Sequence, residues 1–329
     1  MKKGNKIYSK EIFVKGLTKG MNSMDKLQDV LKILEEYHQE HIIEWIKKLD
    51  EEKRAEIIEQ IRNIDFHQMH ELYENTKKEP VIKQNKIETI KYIDKEKLSF
   101  FEKNELDEIG SKVIQKSEYA VITMAGGQGT RLDHQGPKGT FKLDVYGKGK
   151  YLFEILAENL KADSKKYNVV IPWYIMTSKQ NHDATYNFLE KNNYFGYDKD
   201  NVILFSQGEL PLLDTEGKLL IDKNGLIKEG ANGNGGIFES LRKTGALADM
   251  KNRGIKWIFI GSVDNVLLKM VDTILLGMAI KQNVEIASKS VVKANPHEKV
   301  GVFCKMNGHP KVIEYSELPE KMAEEVDNS

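Results

Sequence analysis

The stretch VITMAGGQGTRLDHQGPKG, residues 121–139, decides how the rest of this chain is read. It continues an uninterrupted apolar run, AVITM at 120–124, with no polar alternation. Such a run reads as a strand buried on both faces, the kind found in parallel sheets. The strand stops at Gly126 and Gly127; Gln128, Gly129, Thr130 and Arg131 follow, and then a second short motif, Gly136-Pro137-Lys138-Gly139. Two glycines directly after a strand let backbone N–H groups turn toward an anion, because no Cβ blocks the approach. Arg131 and Lys138 bring full positive charge to the same neighbourhood, so the loop suits a polyphosphate. It is neither common phosphate loop. Walker A needs Gly-Lys-Ser/Thr, which is absent, and Gly127-Gln128-Gly129 runs into Thr130, Arg131 and Leu132 rather than completing G-x-G-x-x-G. The plain alternative is a glycine-rich turn with solvated basic residues; the second basic motif favours phosphate.

Downstream, strands and helices alternate, the signature of a sheet covered by helices. Apolar strands are predicted at 169–176, 202–205, 257–263, 284–293 and 301–305, and helices at 183–191, 238–250 and 271–281. Ser178 or Asn181 would cap the first of these helices. Hairpins are predicted at 212–222, turning near Glu216-Gly217, and around Asn307-Gly308. A second glycine-rich loop, GANGNGG at 230–236, leads into the helix at 238–250.

Upstream, residues 1–22 read as a loose polar arm. From 24 to 74 apolar residues recur at helical spacing, among them Leu27, Val30, Leu31, Leu34, Ile42, Ile46, Ile57 and Ile61. This predicts two or three amphipathic helices, with Asp50 as an N-cap, whose stripe serves a core rather than a partner. His38, His41, His67 and His70 read as surface or packing residues, because a zinc site needs converging ligands. Residues 77–99 form a connector containing Pro80, and 101–116 a helix entering the first strand. The chain thus divides into a helical N-terminal lobe and connector at 1–100 and an α/β domain at 101–329.

The composition excludes several classes of function. Lys plus Arg and Asp plus Glu both number 50 in 329 residues, so the net charge is zero. A general nucleic-acid or membrane-surface binder would show basic excess. No run approaches the length of a bilayer span, and the N-terminus lacks a signal-peptide core. The single cysteine, Cys304, excludes an internal disulfide and suits a reducing cytoplasm. It lies in an apolar run and reads as a buried structural thiol.

In an open α/β sheet, ligands sit beyond the carboxyl ends of the strands. The polar residues fall at those ends: Gly126 and Gly127, Thr177, Gln207, Asn234, Asp264 and Asn265. Gln207 offers a donor and an acceptor on one amide, which suits a nucleobase edge. Asp264 is a hard oxygen ligand suited to Mg²⁺. Read singly, each has an ordinary explanation as a turn or cap; with the phosphate loop they point to a magnesium–nucleotide site.

GGQGTRL followed by GPKG resembles the UDP-sugar pyrophosphorylase family, and its UDP-N-acetylhexosamine pyrophosphorylase branch in particular. Further motifs agree in order: WYIMTS at 173–178, KNNYFG at 191–196, FSQGELP at 205–211, NGNGG at 232–236, SVDN at 262–265 and VIEYSEL at 312–318. The similarity covers roughly residues 120–318, and Gln128 and Gly139 favour the N-acetylhexosamine branch. The resemblance implies a Rossmann-like, GT-A-type αβα sandwich with a mixed sheet, following the helical lobe. It implies a uridylyltransferase that forms UDP-sugar and pyrophosphate from UTP and a sugar 1-phosphate, with N-acetylglucosamine 1-phosphate first and glucose or galactose 1-phosphate as the alternative. It further implies that Ala125, Gly126, Gly127, Gln128 and Arg131 wrap the UTP phosphates and that Lys138 neutralises them. Gln207 would hydrogen-bond uracil, with Gly233 on the nucleotide side. Asn234, Asn265 and Glu314 would contact the sugar, and Asp264 would bind Mg²⁺.

The sequence departs from the family pattern in two places. Asp133 stands where the family usually has Gly, placing a negative charge beside the phosphate loop. The family also carries, after the EYSE stretch, a segment with a second metal-binding aspartate and a second phosphate-side lysine, whereas this sequence stops at Ser329. A rival reading is therefore a non-catalytic nucleotide-binding module. A glycosyltransferase would want Asp-x-Asp at the metal strand, which SVDN does not supply.

Overall fold

The computed structural model describes residues 23–78 and 85–325. The expected arm at 1–22, Pro80 and the last four residues lie outside the described residues. The described residues begin with α1 (Ser23–Glu36), α2 (Glu40–Ile46), α3 (Glu51–Arg62) and α4 (Phe66–Thr76). The periodicity predicts two or three helices; there are four, because the run breaks after Glu36, where His38 takes a left-handed φ of 55°. Asp50 caps α3 as expected, its Oδ1 accepting the Lys53 N–H at 2.9 Å, and Asp65 does the same for α4. Val30, Leu34, Ile42, Ile46, Ile57 and Ile61 are buried together, so the apolar stripe serves the protein's own core. Among the described residues no three His, Cys, Asp or Glu groups converge as metal ligands. His41 Nε2 instead lies 2.8 Å from the Leu219 carbonyl, and His70 meets the Tyr37 ring edge-on.

After β1 (Ile87–Glu88), α5 (Phe100–Gln115) starts from a capping box between Ser99 and Glu102. β2 (Tyr119–Met124) is the strand read first. A hairpin of β3 (Lys142–Val145) and β4 (Lys148–Tyr151) precedes α6 (Leu152–Tyr167), β5 (Trp173–Thr177), α7 (His182–Lys191) and β6 (Val202–Ser206). β7 (Glu209–Pro211) and β8 (Glu229–Ala231) form a two-stranded ribbon whose excursion carries two successive turns. The chain continues through α8 (Ile237–Lys243), α9 (Ala246–Asn252), β9 (Trp257–Ser262), α10 (Thr273–Lys281), β10 (Val302–Met306), β11 (His309–Ile313) and α11 (Glu320–Glu324).

The central sheet runs β6-β5-β2-β9 with all four strands parallel. Alternate residues of β2 and β5 enter different cores. Val121, Trp173 and Ile175 pack with Ile114 of α5, Phe153, Leu156 and Leu160 of α6, and Leu276 of α10. Ala120, Ile122, Tyr174 and Met176 pack with Ile237 and Leu241 of α8 and Ala246 and Met250 of α9. This is why the strands read as continuous apolar runs. On one face α5 and α10 cross backbone to backbone. A Cβ on Gly110 would fall inside the Thr273 carbonyl, and one on Gly277 inside the Leu106 carbonyl. The Thr273 hydroxyl donates to Asp107 at the same crossing.

Four expectations need correction. The central sheet is parallel rather than mixed; the antiparallel pairs form separate small sheets. The strand predicted over 169–176 begins only at Trp173, because Val169 still hydrogen-bonds to the end of α6. The helix predicted over 238–250 is two helices, broken where Gly245 takes a φ of 82°. Residues 284–293 form no strand: β-branched side chains favour strand only where a neighbouring strand supplies the ladder, and among the described residues none does, leaving Val291 and Val292 exposed. The hairpin at Asn307-Gly308 forms as expected, both residues with positive φ, in a sheet of order β1-β10-β11. Cys304 is buried in that sheet, and burial pushes its thiol pKa up, as fits a structural role.

Candidate functional site

Because the four central strands are parallel, their carboxyl ends share one edge. β2 delivers the Ala125–Gly129 loop there, β5 delivers Thr177, β6 delivers Gln207, and β9 delivers Asp264 and Asn265. The loop after β2 is anchored first by the Ala125 N–H, which donates to the Met176 carbonyl at 2.7 Å. It then folds back on itself: the Gly129 N–H donates to the Gly136 carbonyl at 2.9 Å and the Lys138 N–H to the Gly127 carbonyl at 3.2 Å. Gly-Pro-Lys-Gly therefore lies against Gly-Gly-Gln-Gly, and the Lys138 side chain runs alongside Gly127.

Arg131 lies by its backbone in the short turn Thr130–Leu132. Asp133 closes that turn with φ 50°, ψ 31°, and is exposed. This is the left-handed region, which glycine enters freely and Asp tolerates better than most residues. The family's usual glycine and this chain's Asp133 thus answer the same backbone demand.

Lys138 Nζ reaches across to β9 and meets Asp264 Oδ2 at 2.7 Å, while the Ser262 hydroxyl donates to Asp264 Oδ1 at 2.5 Å. Burial works against the Asp264 carboxylate, but the bonds from Lys138 and Ser262 outweigh it and hold its pKa below the usual range. Gln207 is buried, its N–H donating to the Thr177 carbonyl at 2.7 Å. Its carboxamide lies over Gly126 so closely that a Cβ there would stand 2.8 Å from Oε1. Among the described residues that carboxamide has no hydrogen-bond partner, so it is available to a ligand.

The second glycine loop is tied to Gln207 through its neighbour. The Asn232 N–H donates to the Gly208 carbonyl at 3.1 Å, and the Gly208 N–H donates to the Ser240 hydroxyl at 3.0 Å. Gly233 has φ 78°, ψ −179°, a conformation open essentially to glycine alone, and it leaves Asn234 exposed beyond it. Asn265 is exposed beside Asp264. Glu314 follows β11 in the other sheet, and among the described residues no hydrogen bond or ion pair joins it to the strand-end cluster.

Three residues of this edge are not singled out as site residues by the sequence. Ser262 orients Asp264. His182, at the start of α7, stands 2.7 Å from the Thr177 hydroxyl, and burial lowers its pKa. Asn181, expected as a helix cap, makes no cap bond; its amide instead reaches Ala125. A polar residue at or shortly after a strand end is the only signal for any of them. Among the described strand-end residues named above, Asp264 alone carries a carboxylate. That donor set does not fit an all-protein cage, but it fits Mg²⁺, which commonly takes one or two carboxylates and completes its shell with water and substrate phosphate. A cavity of about 240 Å³ lies elsewhere, between the helical lobe and the first ribbon turn, lined by Tyr37, Phe66, Tyr73 and Lys218 among others.

No helix among the described residues is long and apolar enough to cross a membrane. The chain is 40% identical over 228 residues to a probable UDP-N-acetylglucosamine pyrophosphorylase of Schizosaccharomyces pombe, covering 67% of this chain and 48% of that protein. It is 42% identical over 228 residues to the UDP-N-acetylglucosamine pyrophosphorylase of Saccharomyces cerevisiae, covering 68% and 48%. The chain thus spans about half the length of the curated relatives it matches. The crystal structure of uridine diphosphate N-acetylglucosamine pyrophosphorylase from Trypanosoma brucei, in complex with an inhibitor, superposes with a TM-score of 0.76 at 29% identity, covering 94% of this chain and 64% of that one. The family described as UTP–glucose-1-phosphate uridylyltransferase matches residues 64–329, and with the strand-end loop, Gln207 and Asp264 in the arrangement above, the chain belongs to that family.

Proposed function

We propose that this chain binds UTP at the strand-end edge and acts as a uridylyltransferase, joining the uridylyl group to a sugar 1-phosphate and releasing pyrophosphate. The relatives named for UDP-N-acetylglucosamine favour N-acetylglucosamine 1-phosphate over glucose 1-phosphate. The observation that carries the reading is convergence: the glycine loop, Lys138, Gln207 and Asp264 come from three different strand ends to one edge.

The chemistry needs no protein nucleophile. A phosphate oxygen of the sugar 1-phosphate attacks the α-phosphorus of UTP, and the bond to pyrophosphate breaks. Negative charge gathers on the α-phosphoryl and the leaving group. Lys138, Arg131 and the N–H groups of the 126–128 loop would stabilise it, and positioning supplies much of the remainder. Gln207 would read uracil beside Gly126, with Gly233 shaping the nucleotide side, and Asn234, Asn265 and Glu314 would hold the sugar. Mg²⁺ held by Asp264 would neutralise phosphate charge. A cytoplasmic setting fits a chain whose only cysteine is a buried thiol.

The test is pyrophosphate release from UTP, Mg²⁺ and either N-acetylglucosamine 1-phosphate or glucose 1-phosphate. Release with the first at a higher kcat/KM supports the reading, and a preference for the second corrects the sugar. UTP binding by calorimetry with no release from either sugar phosphate would overturn the enzyme and leave a nucleotide-binding module. The observation that favours that second reading is that Glu314 follows a strand of a different sheet from the one that carries the cluster.

A further inference from the structure

The phosphate loop is oriented by a residue that does not face the ligand. In a trans peptide the carbonyl and the following N–H point to opposite sides, and the chain has no cis peptide among the described residues. Whatever holds the carbonyls of Ala125 and Gly127 therefore aims the N–H groups of Gly126 and Gln128 the other way. The Ala125 carbonyl accepts from Asn181 Nδ2 at 3.0 Å. The Gly127 carbonyl accepts from the Lys138 N–H at 3.2 Å and has Asn181 Nδ2 at 3.5 Å as well. Among the described residues, the N–H groups of Gly126, Gly127 and Gln128 donate to no protein acceptor.

Asn181 itself is fixed. It is 1% exposed. Its Oδ1 accepts the Ser178 N–H at 2.8 Å, and its own N–H meets the Ser178 hydroxyl at 3.3 Å. With an N–H on one side of the amide and two carbonyls on the other, only one orientation satisfies it. The amide links the end of β5 to the loop after β2, across 56 residues of sequence.

We propose that Asn181 is a positioning residue for the anion cradle: by pinning the Ala125 carbonyl it holds the Gly126 N–H, and with Lys138 the Gln128 N–H, toward the phosphate oxygens of the nucleotide. The inference rests on the proposed UTP site and deepens it. Asn181 is buried, and its amide bonds to Ser178, Ala125 and Gly127 and not to Gln207, so its influence falls on the phosphate cradle before the base contact. Asn181→Leu keeps the approximate volume and removes both polar ends.

The experiment measures UTP affinity by calorimetry and uridine affinity by NMR titration, in the wild type and in Asn181→Leu, with thermal unfolding recorded for both. The expected result is UTP binding weakened about tenfold or more, with uridine binding within about twofold of wild type. Parallel weakening of both ligands, or unchanged UTP binding, overturns the proposal. If the leucine variant does not fold, Asn181→Ala is read by the same ratio. A wild-type chain that binds neither ligand overturns the UTP reading and this inference with it. A wild type that binds UTP no better than a folded variant overturns only the inference.

Discussion

Replacing Asp264 by Asn tests whether this carboxylate holds Lys138 in reserve for the proposed phosphate site. Lys138 Nζ and Asp264 Oδ2 stand 2.7 Å apart, with side chains 22% and 42% exposed. At that distance the Coulomb attraction is about 1.5 kcal/mol in bulk water and about 6 kcal/mol at an effective dielectric of 20. Partial exposure and side-chain entropy bring measured pairs of this kind to about 1 kcal/mol or less. If Lys138 serves the proposed UTP site, opening the pair to admit a phosphate would cost UTP about fivefold in affinity. Asp264→Asn removes that cost and the repulsion between carboxylate and phosphate. UTP binding in excess EDTA should tighten about fivefold, while the additional tightening on adding Mg²⁺ should disappear. Calorimetric titration of both proteins, with and without Mg²⁺, reads both effects. Metal-free binding that is unchanged or weaker in the variant would refute the reasoning, as would a retained response to Mg²⁺.

Gly277→Ala places a methyl group inside the Leu106 carbonyl at the α5–α10 crossing. A gain of up to about 1 kcal/mol in helix propensity is outweighed by overpacking of about 1–3 kcal/mol, so the urea midpoint should fall; a higher midpoint would contradict the crossing. Gln60 donates to the Ile227 carbonyl and accepts the Ile227 N–H, each at 2.8 Å. Gln60→Met strands both backbone groups and should cost about 2 kcal/mol in chemical unfolding, against no change if the lobe does not depend on the ribbon. Burial holds the His182 pKa below its ordinary value, with Asp183 opposing. The unfolded chain then binds the extra proton first, so this contribution to stability is complete above about pH 6.5 and is lost as pH falls through the folded-state pKa. His182→Asn should flatten the stability profile below that pH, and an unchanged slope would remove His182 as its source.

What could be read in advance follows from how local each cause is. β2 was legible because a strand covered on both faces must be apolar at every position, and Val121 and Ile122 do enter different cores. The two glycine motifs were legible as one loop because they lie close in sequence, and the fold-back at Gly129 and Gly136 joins them. The Lys138–Asp264 pair spans 126 residues, and no spacing rule reaches that far. Asn181 was misread for a related reason. A polar residue between a strand and a helix serves equally as a cap or as a distant tie, and only the position of Ala125 decides between them. The strand expected at 284–293 failed on the same principle in reverse, since its residues are suitable but its ladder partner is absent among the described residues.

The helical lobe connects with the site through the ribbon between β7 and β8. Leu219 and Ile227 insert into the core of the lobe. Around them, lobe side chains hydrogen-bond to ribbon backbone in place of a neighbouring strand. Gln39 takes the Gly217 carbonyl at 3.0 Å and the Leu219 N–H at 2.8 Å, and Trp45 donates to the Gly225 carbonyl at 2.9 Å. β7 begins two residues after Gln207, and β8 ends one residue before Asn232. The segment that presents Gln207 and the segment that presents the second glycine loop are therefore the two ends of one ribbon, held by the sheet at its base and by the lobe at its tip. That double anchorage ties an N-terminal helical lobe, remote in sequence from Gln207 and Asn232, to the two segments that present them.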